Sequence, residues 1–570
     1  MCGIAGIWSD DLPRDAREIL VRQMLQYMSE RGPDATRVVH EAGCTVGFNL
    51  LAIAAGPGEH DGDSYQPMRL FSVIGAMNGE VYNHHRLRRT LDRTAPGMGR
   101  PEDDCAVLLP LYSRNPAGFL RDLDGIFAGV VFDSARQQLL LFRDHVGIKP
   151  LFYTRLPQGI AFASTVLGFR PLTSAKVSKR AMRDYLTSGY VRTPQTLIDG
   201  VLSVPPGTVM DWRSPKGQPR AERWFRPDGA MRDLRQVISE AVETEVPAGW
   251  PVVSTLSGGV DSTLITLMLQ AAGARPTALT VGYPDAQDDP DLLTARRVCE
   301  DFAIDHVEVP VTADDYLREV TGGWRFDQPL ADPNAIALNL LCRQAGKLGT
   351  RVLLTGDGSD ELFCGYDYYR RPAAGGLSGH LASWTFTSMT EPRDRRFARY
   401  VTGKPRPRPV RPHLGDPLRH VQDSDISQWL EPNLLAKADR FGMADQVEIR
   451  VPLLRPAIVS AALALPARLK VANGVTKVAL REAFGDMLPR YVLERSKQGF
   501  PCPLATWLRG NMGQELRRGA TWAVDGIWDV AREQELWDEH VAGRADWSQQ
   551  LWRLAIARAW WRTMTTPPTR

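Results

Sequence analysis

The segment Val252-Val253-Ser254-Thr255-Leu256-Ser257-Gly258-Gly259-Val260-Asp261-Ser262 decides the fold of the second half of this 570-residue chain. Its first five residues form a short apolar and β-branched run that predicts a buried strand, and the largely apolar residues 263–273 predict a helix. Glycines between a strand and a helix let backbone N–H groups close around a phosphate, and the N-terminus of the helix adds positive potential. We therefore predict a phosphate-binding loop at Ser257–Ser262.

The alternation of strand and helix continues beyond this loop. Strand patterns and helix patterns alternate at Thr277–Val281, Leu292–Phe302, His306–Val309, Asn334–Leu348 and Arg351–Thr355. This succession is typical of a parallel sheet covered by helices. The last part of the chain, from residue 415 to residue 570, is mainly helical and rich in tryptophan, and the proline-broken basic stretch at 403–409 predicts an exposed loop.

The first part of the chain has a different pattern. Short β-branched or apolar runs at Phe71–Met77, Ile126–Asp133, Gln138–Arg143 and Gly159–Ser164 are separated by turn-forming Gly, Pro and Asp residues. The next residues, 211–232, are polar and turn-forming, which favours a linker. We therefore predict a strand-rich domain over residues 1–210, a linker over residues 211–232 and an α/β domain over residues 233–570.

Composition argues against several classes of protein. Apolar residues make up 43% and charged residues 24% of the chain, and the net charge of +3 gives no argument for a nucleic-acid partner. No apolar run reaches the about 18 residues that span a bilayer, and the N-terminus lacks the apolar core of a signal peptide. The seven cysteines include no Cys-x-x-Cys pair, so neither a disulfide framework nor a zinc site is indicated. We expect a cytoplasmic protein without a nucleic-acid or membrane partner.

The glycines of the first loop are not followed by Gly-Lys-Ser/Thr, so this loop differs from the one that holds β- and γ-phosphates for phosphoryl transfer. The hydroxyls of Ser257 and Ser262 supply further donors for a phosphate. The strand, the Ser-Gly-Gly-x-Asp-Ser loop and the helix together resemble the pyrophosphate loop of ATP pyrophosphatases, which release AMP and pyrophosphate. That resemblance implies ATP as a substrate and adenylation of a substrate oxygen.

A second loop, Thr355-Gly356-Asp357-Gly358-Ser359-Asp360-Glu361, follows another predicted strand. Carboxylates at the carboxyl edge of a parallel sheet lie where such folds bind ligands. We expect Asp261 and Asp360 to share a Mg²⁺ ion that bridges the triphosphate, because Mg²⁺ favours a few carboxylates together with phosphate oxygens. Asp357 is then available as a base or to orient the nucleophile, although clustered Asp and Gly can also form only a turn. The candidate cations for departing pyrophosphate are Lys477, Arg481 and Lys497.

The N-terminus carries a second candidate reaction centre. The chain opens Met1-Cys2-Gly3, and the small Gly3 favours removal of Met1. Cys2 would then hold a thiol and a free α-amine on one residue, and an α-amine with a pKa of about 8 can act as the base for its own thiol. The alternative interpretation is an arbitrary residue in a frayed terminus.

Ordered stretches along nearly the whole chain resemble the glutamine-dependent asparagine synthetase family. They are Met1–Ile7, Arg31–Asp34, Asn78–His84, Asp104–Cys105, Arg143–Leu151, Leu256–Ser262, Thr355–Glu361 with Gly365–Tyr366, Val447–Pro452 and Lys497–Phe500. The resemblance implies an N-terminal-nucleophile glutaminase, a four-layer αββα sandwich, joined to a parallel-sheet α/β domain of ATP-pyrophosphatase type with a helical C-terminal part. It also allows a homodimer, since members of the family often dimerise.

The resemblance implies a role for each matching residue. Cys2 would attack the side-chain amide of glutamine, Asn78 and the N–H of Gly79 would form the oxyanion hole, and ammonia would pass through an internal tunnel. At the second site ATP would adenylate a carboxylate, ammonia would displace AMP with help from Asp357, and Lys497 would neutralise pyrophosphate. Glutamine would be bound by Asn78, Glu80 and Asp104. The nucleotide would be bound by Leu256, Ser257, Gly258, Gly259, Asp261, Ser262, Val281, Thr355 and Gly356.

Two positions depart from the family pattern. Leu50 stands where the family has an arginine for the α-carboxylate of glutamine, and loss of such a charged hydrogen bond costs about 1.5–3 kcal/mol, or about ten- to a hundredfold in affinity. We therefore expect a weak glutaminase or another donor, such as a γ-substituted glutamate, unless Arg69 replaces the missing group. Arg455 stands where the family has an acid, which leaves open whether the acceptor is aspartate or another carboxylic acid.

Three functions stay open. The leading one is an ATP-dependent amidotransferase that converts aspartate to asparagine or amidates a related acid in specialised metabolism. The second is an intramolecular amide former like the β-lactam synthetases, which share the fold but normally lack the nucleophilic cysteine. The third is an inactive regulatory or scaffolding homologue, which only Leu50 supports.

Overall fold

The computed structural model describes residues 2–53, 66–91, 103–157, 159–172, 176–285, 289–322, 326–388, 416–495, 502–520, 527–528 and 530–565. Twelve strands build its N-terminal half: β1 (Gly3–Trp8), β2 (Ala35–Glu41), β3 (Cys44–Leu50), β4 (Met68–Leu70), β5 (Val73–Val81), β6 (Gly125–Asp133), β7 (Gln138–Arg143), β8 (Phe152–Leu156), β9 (Gly159–Ala163), β10 (Val201–Ser203), β11 (Thr208–Trp212) and β12 (Arg220–Arg223). They form two antiparallel six-stranded sheets, with the orders β10-β8-β9-β1-β3-β2 and β12-β11-β7-β6-β5-β4.

The two sheets stack face to face with helices outside them. Side chains alternate along β1, so that Ile4 and Trp8 pack between the sheets while Ala5 and Ile7 pack on the outer face. The helices of this half are α1 (Arg14–Gln26), α2 (His84–Thr90), α3 (Leu108–Arg114) and α4 (Lys179–Ser188), with short 3₁₀ turns at Ser29–Arg31, Asp104–Val107 and Val166–Phe169. Helix α1 covers the first sheet and α3 covers the second. This arrangement confirms the predicted αββα sandwich.

The C-terminal half contains a five-stranded parallel sheet. Its strands are β13 (Val253–Thr255), β14 (Thr277–Gly282), β15 (Asp305–Pro310), β16 (Val352–Leu354) and β17 (Glu448–Arg450), in the order β15-β14-β13-β16-β17. The order turns at β13, because β14 and β15 follow on one side while β16 and β17 lie on the other. In parallel sheets such a turning point opens a crevice at the carboxyl ends of the strands, where ligands bind.

Helices surround this sheet and extend beyond it. They are α5 (Leu234–Glu245), α6 (Val260–Ala271), α7 (Pro290–Phe302), α8 (Ala313–Thr321), α9 (Asn334–Lys347), α10 (Ser359–Phe363), α11 (Arg370–Ala373), α12 (Gly376–Ser388), α13 (Pro417–Asp425), α14 (Ala436–Ala444), α15 (Pro456–Ala464), α16 (Ala467–Lys470), α17 (Val478–Phe484), α18 (Arg490–Leu493), α19 (Leu504–Arg509), α20 (Asn511–Arg518), α21 (Val530–Val541) and α22 (Ser548–Thr565). A π-helix (Ile426–Leu435), 3₁₀ turns at Asp367–Tyr369 and Pro452–Leu454, and a hairpin of β18 (Val471–Ala472) and β19 (Val475–Thr476) complete this half. Within the described ranges, no helix has the length and apolar character needed to cross a membrane.

One predicted boundary needs correction. The polar residues 211–232 do not form a continuous linker, because β12 and the end of β11 lie within this range and Asp211 pairs with Arg220 in the second sheet. The turn-forming residues 213–219 therefore connect two strands of the N-terminal sandwich. The division of the chain into two domains stays a prediction, and the basic stretch at 403–409 lies outside the described residues.

Buried ion pairs join the two halves. Arg31 donates to both carboxylate oxygens of Asp439 at 2.7 and 3.1 Å, and Arg143 Nη1 donates to Glu431 Oε1 at 2.9 Å. The C-terminal helix α22 also returns to the N-terminal half, where Arg553 donates to the carbonyl oxygen atoms of residues 186 and 187 in α4. Removal of one partner from a buried ion pair costs about 3–5 kcal/mol. These contacts therefore fix the two halves relative to each other.

Candidate active sites

Cys2 lies at the start of β1, at the edge of the buried space between the two sheets. Its backbone N–H donates to Asn78 Oδ1 at 2.8 Å, and its Sγ lies 4.0 Å from the carbonyl oxygen of Leu51. Burial raises the pKa of the Cys2 thiol. The thiol therefore needs a nearby base to become a nucleophile, which fits the role predicted for its own α-amine.

Asn78 and Gly79 lie beside Cys2 on strand β5. Asn78 Nδ2 is buried and has no hydrogen-bond partner in the part of the chain that the structure describes. A buried donor left unpaired costs about 1–3 kcal/mol, so this amide fits a ligand that brings an acceptor oxygen. Gly79 has a φ of +139°, and a Cβ atom there would lie 1.9 Å from the carbonyl oxygen of Ile126. Only glycine fits next to Asn78.

Two acidic side chains, Glu80 and Asp104, lie close to Cys2. Burial, with Glu448 and Asp104 as further causes, raises the pKa of Glu80, and burial raises the pKa of Asp104. A carboxylate oxygen of Asp104 accepts the backbone N–H of Val81. A bound ammonium group would favour the charged form of both acids, so the pair suits the α-amine of an amino acid.

Leu50 lies on the same side of the first sheet as the nucleophile. The register of β1 and β3 pairs Gly3 with Asn49, which puts Leu50 opposite Cys2, and Leu50 packs against the apolar cluster that contains Cys2. Arg69 does not replace the missing arginine, because its guanidinium contacts Glu41 and its side chain is 47% exposed. The departure from the family pattern at Leu50 therefore stands.

The predicted phosphate loop connects β13 to α6. The Ser257 N–H donates to Ser262 Oγ at 3.0 Å, and the two hydroxyl oxygens lie 3.1 Å apart. Gly258 has a φ of +67°, and a Cβ atom there would lie 2.6 Å from Thr294 Cβ on α7. The loop thus needs glycine both for its backbone conformation and for its close packing.

A cavity of about 500 Å³ collects most of the predicted nucleotide-binding residues. Its lining includes Leu256, Ser257, Gly259, Asp261, Ser262, Val281, Thr355 and Gly356. Gly258 is not part of the lining and instead shapes the loop behind it. The cavity therefore lies at the turning point of the parallel sheet, where the topology predicts a ligand.

Lys477 brings the two predicted metal ligands together. Its Nζ contacts a carboxylate oxygen of Asp261 and, at 2.5 Å, Asp360 Oδ1. Ser359 Oγ donates to the other carboxylate oxygen of Asp261 at 2.6 Å. Within the described ranges there is no group of three or more potential protein metal ligands. Two carboxylates still fit Mg²⁺, since this ion usually takes its other ligands from phosphate and water.

The acidic loop forms one wall of the same cavity. Asp357 lines the cavity, and its Oδ2 accepts the hydroxyl of Thr355 at 2.9 Å. Arg481 also lines the cavity, where its guanidinium donates to the carbonyl oxygen atoms of Thr476 and Leu493. The predicted cation Lys497 lies outside the described residues.

Three further polar residues of the cavity received no role from the sequence. Lys437 Nζ donates to Asp332 Oδ2 at 2.8 Å, and Glu361 Oε1 accepts the hydroxyl of Tyr366 at 2.5 Å. Glu361 lies in the quoted acidic loop, which is a signal that could have found it. Lys437 and Asp332 are 105 residues apart, and no local motif marks their pairing.

Strand β17 connects the two candidate sites. Arg450 Nη2 lies 3.4 Å from Oε1 of Glu80, one of the two acids near Cys2. In the parallel sheet Arg450 pairs with Leu354, the residue directly before Thr355 in the acidic loop. Glu80 near Cys2 is thus connected through β17 and its neighbour β16 to the loop that contains Asp357.

Comparisons with known proteins agree with these features. A family model described as asparagine synthase matches residues 233–562, and one described as a glutamine amidotransferase domain matches residues 1–225. The chain is 28% identical to glutamine-hydrolyzing asparagine synthetase 1 of Bacillus subtilis strain 168, over 98% of this chain and 96% of that protein. It is 26% identical to asparagine synthetase 3 of the same strain, over 88% of this chain and 87% of that protein. It is 25% identical to the human asparagine synthetase, over 97% of this chain and 96% of that protein.

Proposed function

Because this chain belongs to the asparagine synthase family and carries a glutamine amidotransferase domain, we propose that it makes an amide from a carboxylic acid, ATP and ammonia taken from glutamine. The leading acceptor is aspartate, which would give asparagine. The cavity of about 500 Å³ carries this proposal, because the phosphate loop and the acidic loop line the same space. ATP and the acceptor acid bound in this cavity would lie next to each other.

The first half-reaction takes place at Cys2 after removal of Met1. The α-amine accepts the thiol proton, Sγ bonds to the amide carbon of glutamine, and the negative charge on the former carbonyl oxygen is stabilised by Asn78 Nδ2 and the N–H of Gly79. The carbon–nitrogen bond breaks, and the proton held by the α-amine leaves with ammonia. Water then hydrolyses the thioester and gives glutamate.

Ammonia next moves to the second site without entering solvent. Neutral ammonia is small, and the contact between Glu80 and Arg450 links the donor site to β17, whose neighbour β16 leads into the acidic loop. The proposed tunnel follows this short connection. It would supply ammonia to the same wall of the cavity that carries Asp357.

The second half-reaction activates the acceptor carboxylate. A carboxylate oxygen bonds to the α-phosphorus of ATP, the bond from that phosphorus to the bridging oxygen breaks, and pyrophosphate leaves with the electron pair. Asp261 and Asp360 would hold Mg²⁺, which neutralises the charge of the triphosphate when it is bound. Lys477 lies beside both carboxylates and can donate to the departing pyrophosphate.

Ammonia then completes the amide. Its lone pair bonds to the activated carbonyl carbon, AMP leaves with the electrons of the carbon–oxygen bond, and the nitrogen loses a proton. Asp357 is the proposed acceptor of that proton, because its carboxylate lines the cavity in the loop directly after β16. The products are an amide, AMP and pyrophosphate.

Leu50 favours a second candidate for the nitrogen donor. Without an arginine for the α-carboxylate, we expect the site to bind glutamine weakly, and a γ-substituted glutamate is the second candidate donor. Arg455 gives no comparable argument about the acceptor. Its guanidinium pairs with Asp124 between the two halves of the molecule, and it is not among the residues that line the cavity.

The test supplies the full-length protein with ATP, Mg²⁺, aspartate and ammonium chloride, and follows pyrophosphate release and the mass of the product. Glutamine then replaces ammonium chloride in a second series. We expect asparagine and pyrophosphate in both series, with Cys2→Ala losing only the glutamine-dependent reaction. Absence of pyrophosphate with every carboxylic acid tried would overturn the proposal.

A further inference from the structure

Two side chains hold the backbone of Cys2. The pairing of β1 with β3 begins at Gly3 and its pairing with β9 begins at Ala5, so Cys2 precedes both ladders. Its N–H donates to Asn78 Oδ1 at 2.8 Å, and its carbonyl oxygen accepts from Arg31 Nε at 3.2 Å. Once the initiator residue is removed, the N–H belongs to a free amine that can rotate. The contact with Arg31 then fixes the first peptide group of the chain.

Arg31 is itself fixed by a residue of the C-terminal half. Its Nη1 and Nη2 donate to the two carboxylate oxygens of Asp439 at 2.7 and 3.1 Å, and the two side chains are 5% and 3% exposed. A guanidinium is planar and rigid, so a carboxylate that binds both Nη atoms also determines the direction of Nε. The position of Asp439 therefore determines where Arg31 holds the carbonyl group of Cys2.

Helix α14 holds Asp439 firmly in the C-terminal half. Ala438 and Phe441 of this helix are buried in an apolar cluster, and Lys437 Nζ donates to Asp332 Oδ2 at 2.8 Å. Residues two positions apart on a helix point about 200° away from each other. Lys437, which lines the predicted nucleotide cavity, and Asp439 therefore leave α14 on opposite sides. One helix thus contributes both to the wall of that cavity and to the anchor of Arg31.

Stability of the interface does not by itself account for a charged pair at this place. An apolar pair of similar volume often stabilises a buried interface as well as an ion pair does. An apolar side chain at position 31 would, however, offer no donor to the carbonyl oxygen of Cys2. Arg31 binds Asp439 with two nitrogen atoms and Cys2 with the third. This geometry is expected of a side chain that orients the nucleophile.

We propose that Asp439 is a positioning residue of the proposed glutaminase site. Through Arg31 it holds Cys2 in register with the proposed oxyanion hole on β5. That strand belongs to the second sheet, whereas Cys2 directly precedes β1 of the first, so the separation of Sγ from the oxyanion hole depends on how Cys2 is held. The assignment rests on the proposed function, because it concerns the nucleophile of the first half-reaction. A side chain of the C-terminal half thus completes a site in the N-terminal half.

Two variants separate positioning from the loss of an ion pair. Asp439→Asn keeps the shape of the side chain but replaces one acceptor by a donor and removes the charge, so the guanidinium of Arg31 can turn. Arg31→Lys keeps the charge pair, but an ammonium group on a flexible stem lacks the rigid fork that joins Asp439 to Cys2. If one variant is unstable, the other still tests the proposal.

Glu431→Gln is the matched control. Glu431 forms another buried ion pair between the halves, with Arg143, and the two side chains are 7% and 3% exposed. The substitution again changes an acid to its amide and leaves a buried guanidinium. The other hydrogen bonds that Arg143 donates go to residues 147, 149, 203 and 204, which are far from Cys2 in the sequence. The control therefore weakens the interface without acting on the nucleophile.

Three measurements are made on each full-length protein. Glutamate release, with glutamine or the γ-hydroxamate of glutamate as donor, gives kcat and KM for the first half-reaction. Pyrophosphate release with ATP, Mg²⁺, aspartate and ammonium chloride reports the second half-reaction. Alkylation by iodoacetamide, followed by mass spectrometry of the N-terminal peptide, reports the reactivity of the Cys2 thiol. The thermal midpoint is recorded for the same samples.

We expect a loss confined to kcat of the first half-reaction. Asp439→Asn and Arg31→Lys should each lower it about ten- to a hundredfold and leave KM within about threefold, because a displacement of about 1 Å can cost a hundredfold. The double variant should lose at most about twofold more than either single variant, since both act on one contact. Alkylation of Cys2 should stay within about twofold, because this reaction needs no oxyanion hole, and pyrophosphate release should not change.

The control decides between positioning and stability. Glu431→Gln should lower the thermal midpoint about as much as Asp439→Asn does and keep kcat within about twofold. Equal losses of kcat in these two variants would overturn the assignment while the proposed function stands. Faster alkylation of Cys2 in Asp439→Asn than in the unsubstituted protein would also overturn it, since it would show local unfolding. No glutamate release from the unsubstituted protein with either donor would instead overturn the glutaminase part of the proposed function, and the assignment with it.

Discussion

Leu50 and Cys2 face each other across two neighbouring strands, so a change in the length and charge of residue 50 acts directly beside the nucleophile. The two acids at this site, Glu80 and Asp104, suit an ammonium group, whereas Leu50 offers nothing to a carboxylate. We therefore expect recognition of a carboxylate at the proposed donor site to depend on residue 50, which can be changed without altering Cys2 or Asn78.

Leu50→Arg should strengthen glutamine binding. A new charged hydrogen bond to the α-carboxylate is worth about 1.5–3 kcal/mol, so the KM for glutamine should fall about ten- to a hundredfold. Glutamate release measures this effect, and amide formation from ammonium chloride should stay unchanged. Leu50→Met is the matched control because it lengthens the side chain without charge. Equal KM values for the two variants would contradict the prediction.

Single residues also show which parts of the candidate sites could be predicted from the sequence. Cys2, Asn78 and Ser257–Ser262 were predictable because short motifs fix their backbone surroundings. Lys437 and Glu361 were not assigned, because their significance depends on contacts made only in three dimensions, such as the pairing of Lys437 with Asp332. Leu50 was recognised as a departure, but only the strand register shows that it lies opposite Cys2.

At the scale of elements, the close approach of α10 and α17 places Lys477 between Asp261 and Asp360. Gly365 lies just beyond α10, and a Cβ atom there would lie 1.9 Å from Asp360 Oδ1 and 2.1 Å from Lys477 Cε. The missing side chain of Gly365 therefore permits the arrangement of all three charged groups.

Gly365→Ala should damage adenylation selectively. Displacement of catalytic groups by about 1 Å can cost a hundredfold in rate, so pyrophosphate release should fall by about that factor. Glutamine hydrolysis, which takes place in the other half of the molecule, should keep its rate. Gly346→Ala in α9 is the control, because the nearest atom to its Cβ would be 3.9 Å away. Unchanged pyrophosphate release in Gly365→Ala would refute this explanation of the glycine.

The elements themselves were largely predictable. The predicted strand Gln138–Arg143 is β7, and the predicted helix from Asn334 is α9 to within one residue. Helix α6 begins at Val260, earlier than predicted, because Gly259 in an extended conformation precedes it and Asp261 can occupy the first turn. The segment 213–219 was misread as part of a linker, because a hairpin turn and a linker share the same polar, turn-forming composition.

At the scale of the whole molecule, ion pairs between the halves determine how the two sites are held together. Arg455 Nε donates to Asp124 Oδ1 at 2.8 Å, and its guanidinium also lies 3.8 Å from Glu245. This explains the basic residue at position 455, which the sequence could relate only to the choice of acceptor.

Reversal of this pair tests its contribution. Asp124→Arg and Arg455→Asp should each lower the free energy of unfolding by about 3 kcal/mol, and the double variant should recover part of the loss. Recovery is incomplete because Asp at 455 would face Glu245. Urea unfolding measures all four proteins. The exposed pair Arg296 and Glu308 is the control, where the same reversal should cost less than about 1 kcal/mol. Strictly additive losses at 124 and 455 would contradict a direct interaction.

Glu245 makes the same interface sensitive to pH. Burial, partly offset by Arg455 and Arg450, raises its pKa from 4.5 to about 7. The folded protein therefore binds this proton more tightly than the unfolded chain does. The resulting stabilisation is present at low pH and is lost as the pH rises from about 4.5 through about 7, by up to about 3 kcal/mol.

Glu245→Gln should remove that pH dependence. Relative to the unsubstituted protein, the variant should gain free energy of unfolding between about pH 5 and about pH 8, and the difference should level off above about pH 8. Urea unfolding at several pH values measures it. Glu240→Gln, an exposed change in the same helix, should give a difference that does not depend on pH. If the difference in free energy of unfolding for Glu245→Gln were also independent of pH, the prediction would be refuted.

The ion pair of Arg31 with Asp439 has a consequence for synthesis of the protein. Arg31 Nε donates to the carbonyl oxygen of Cys2 at 3.2 Å, and its other nitrogen atoms are bound by a residue 408 positions later. A ribosome therefore makes the nucleophile near the start of translation but the group that anchors its neighbour only near the end. The nascent glutaminase lacks this support until most of the synthetase exists. We therefore expect the surroundings of Cys2 to reach their final structure only after Asp439 has been made.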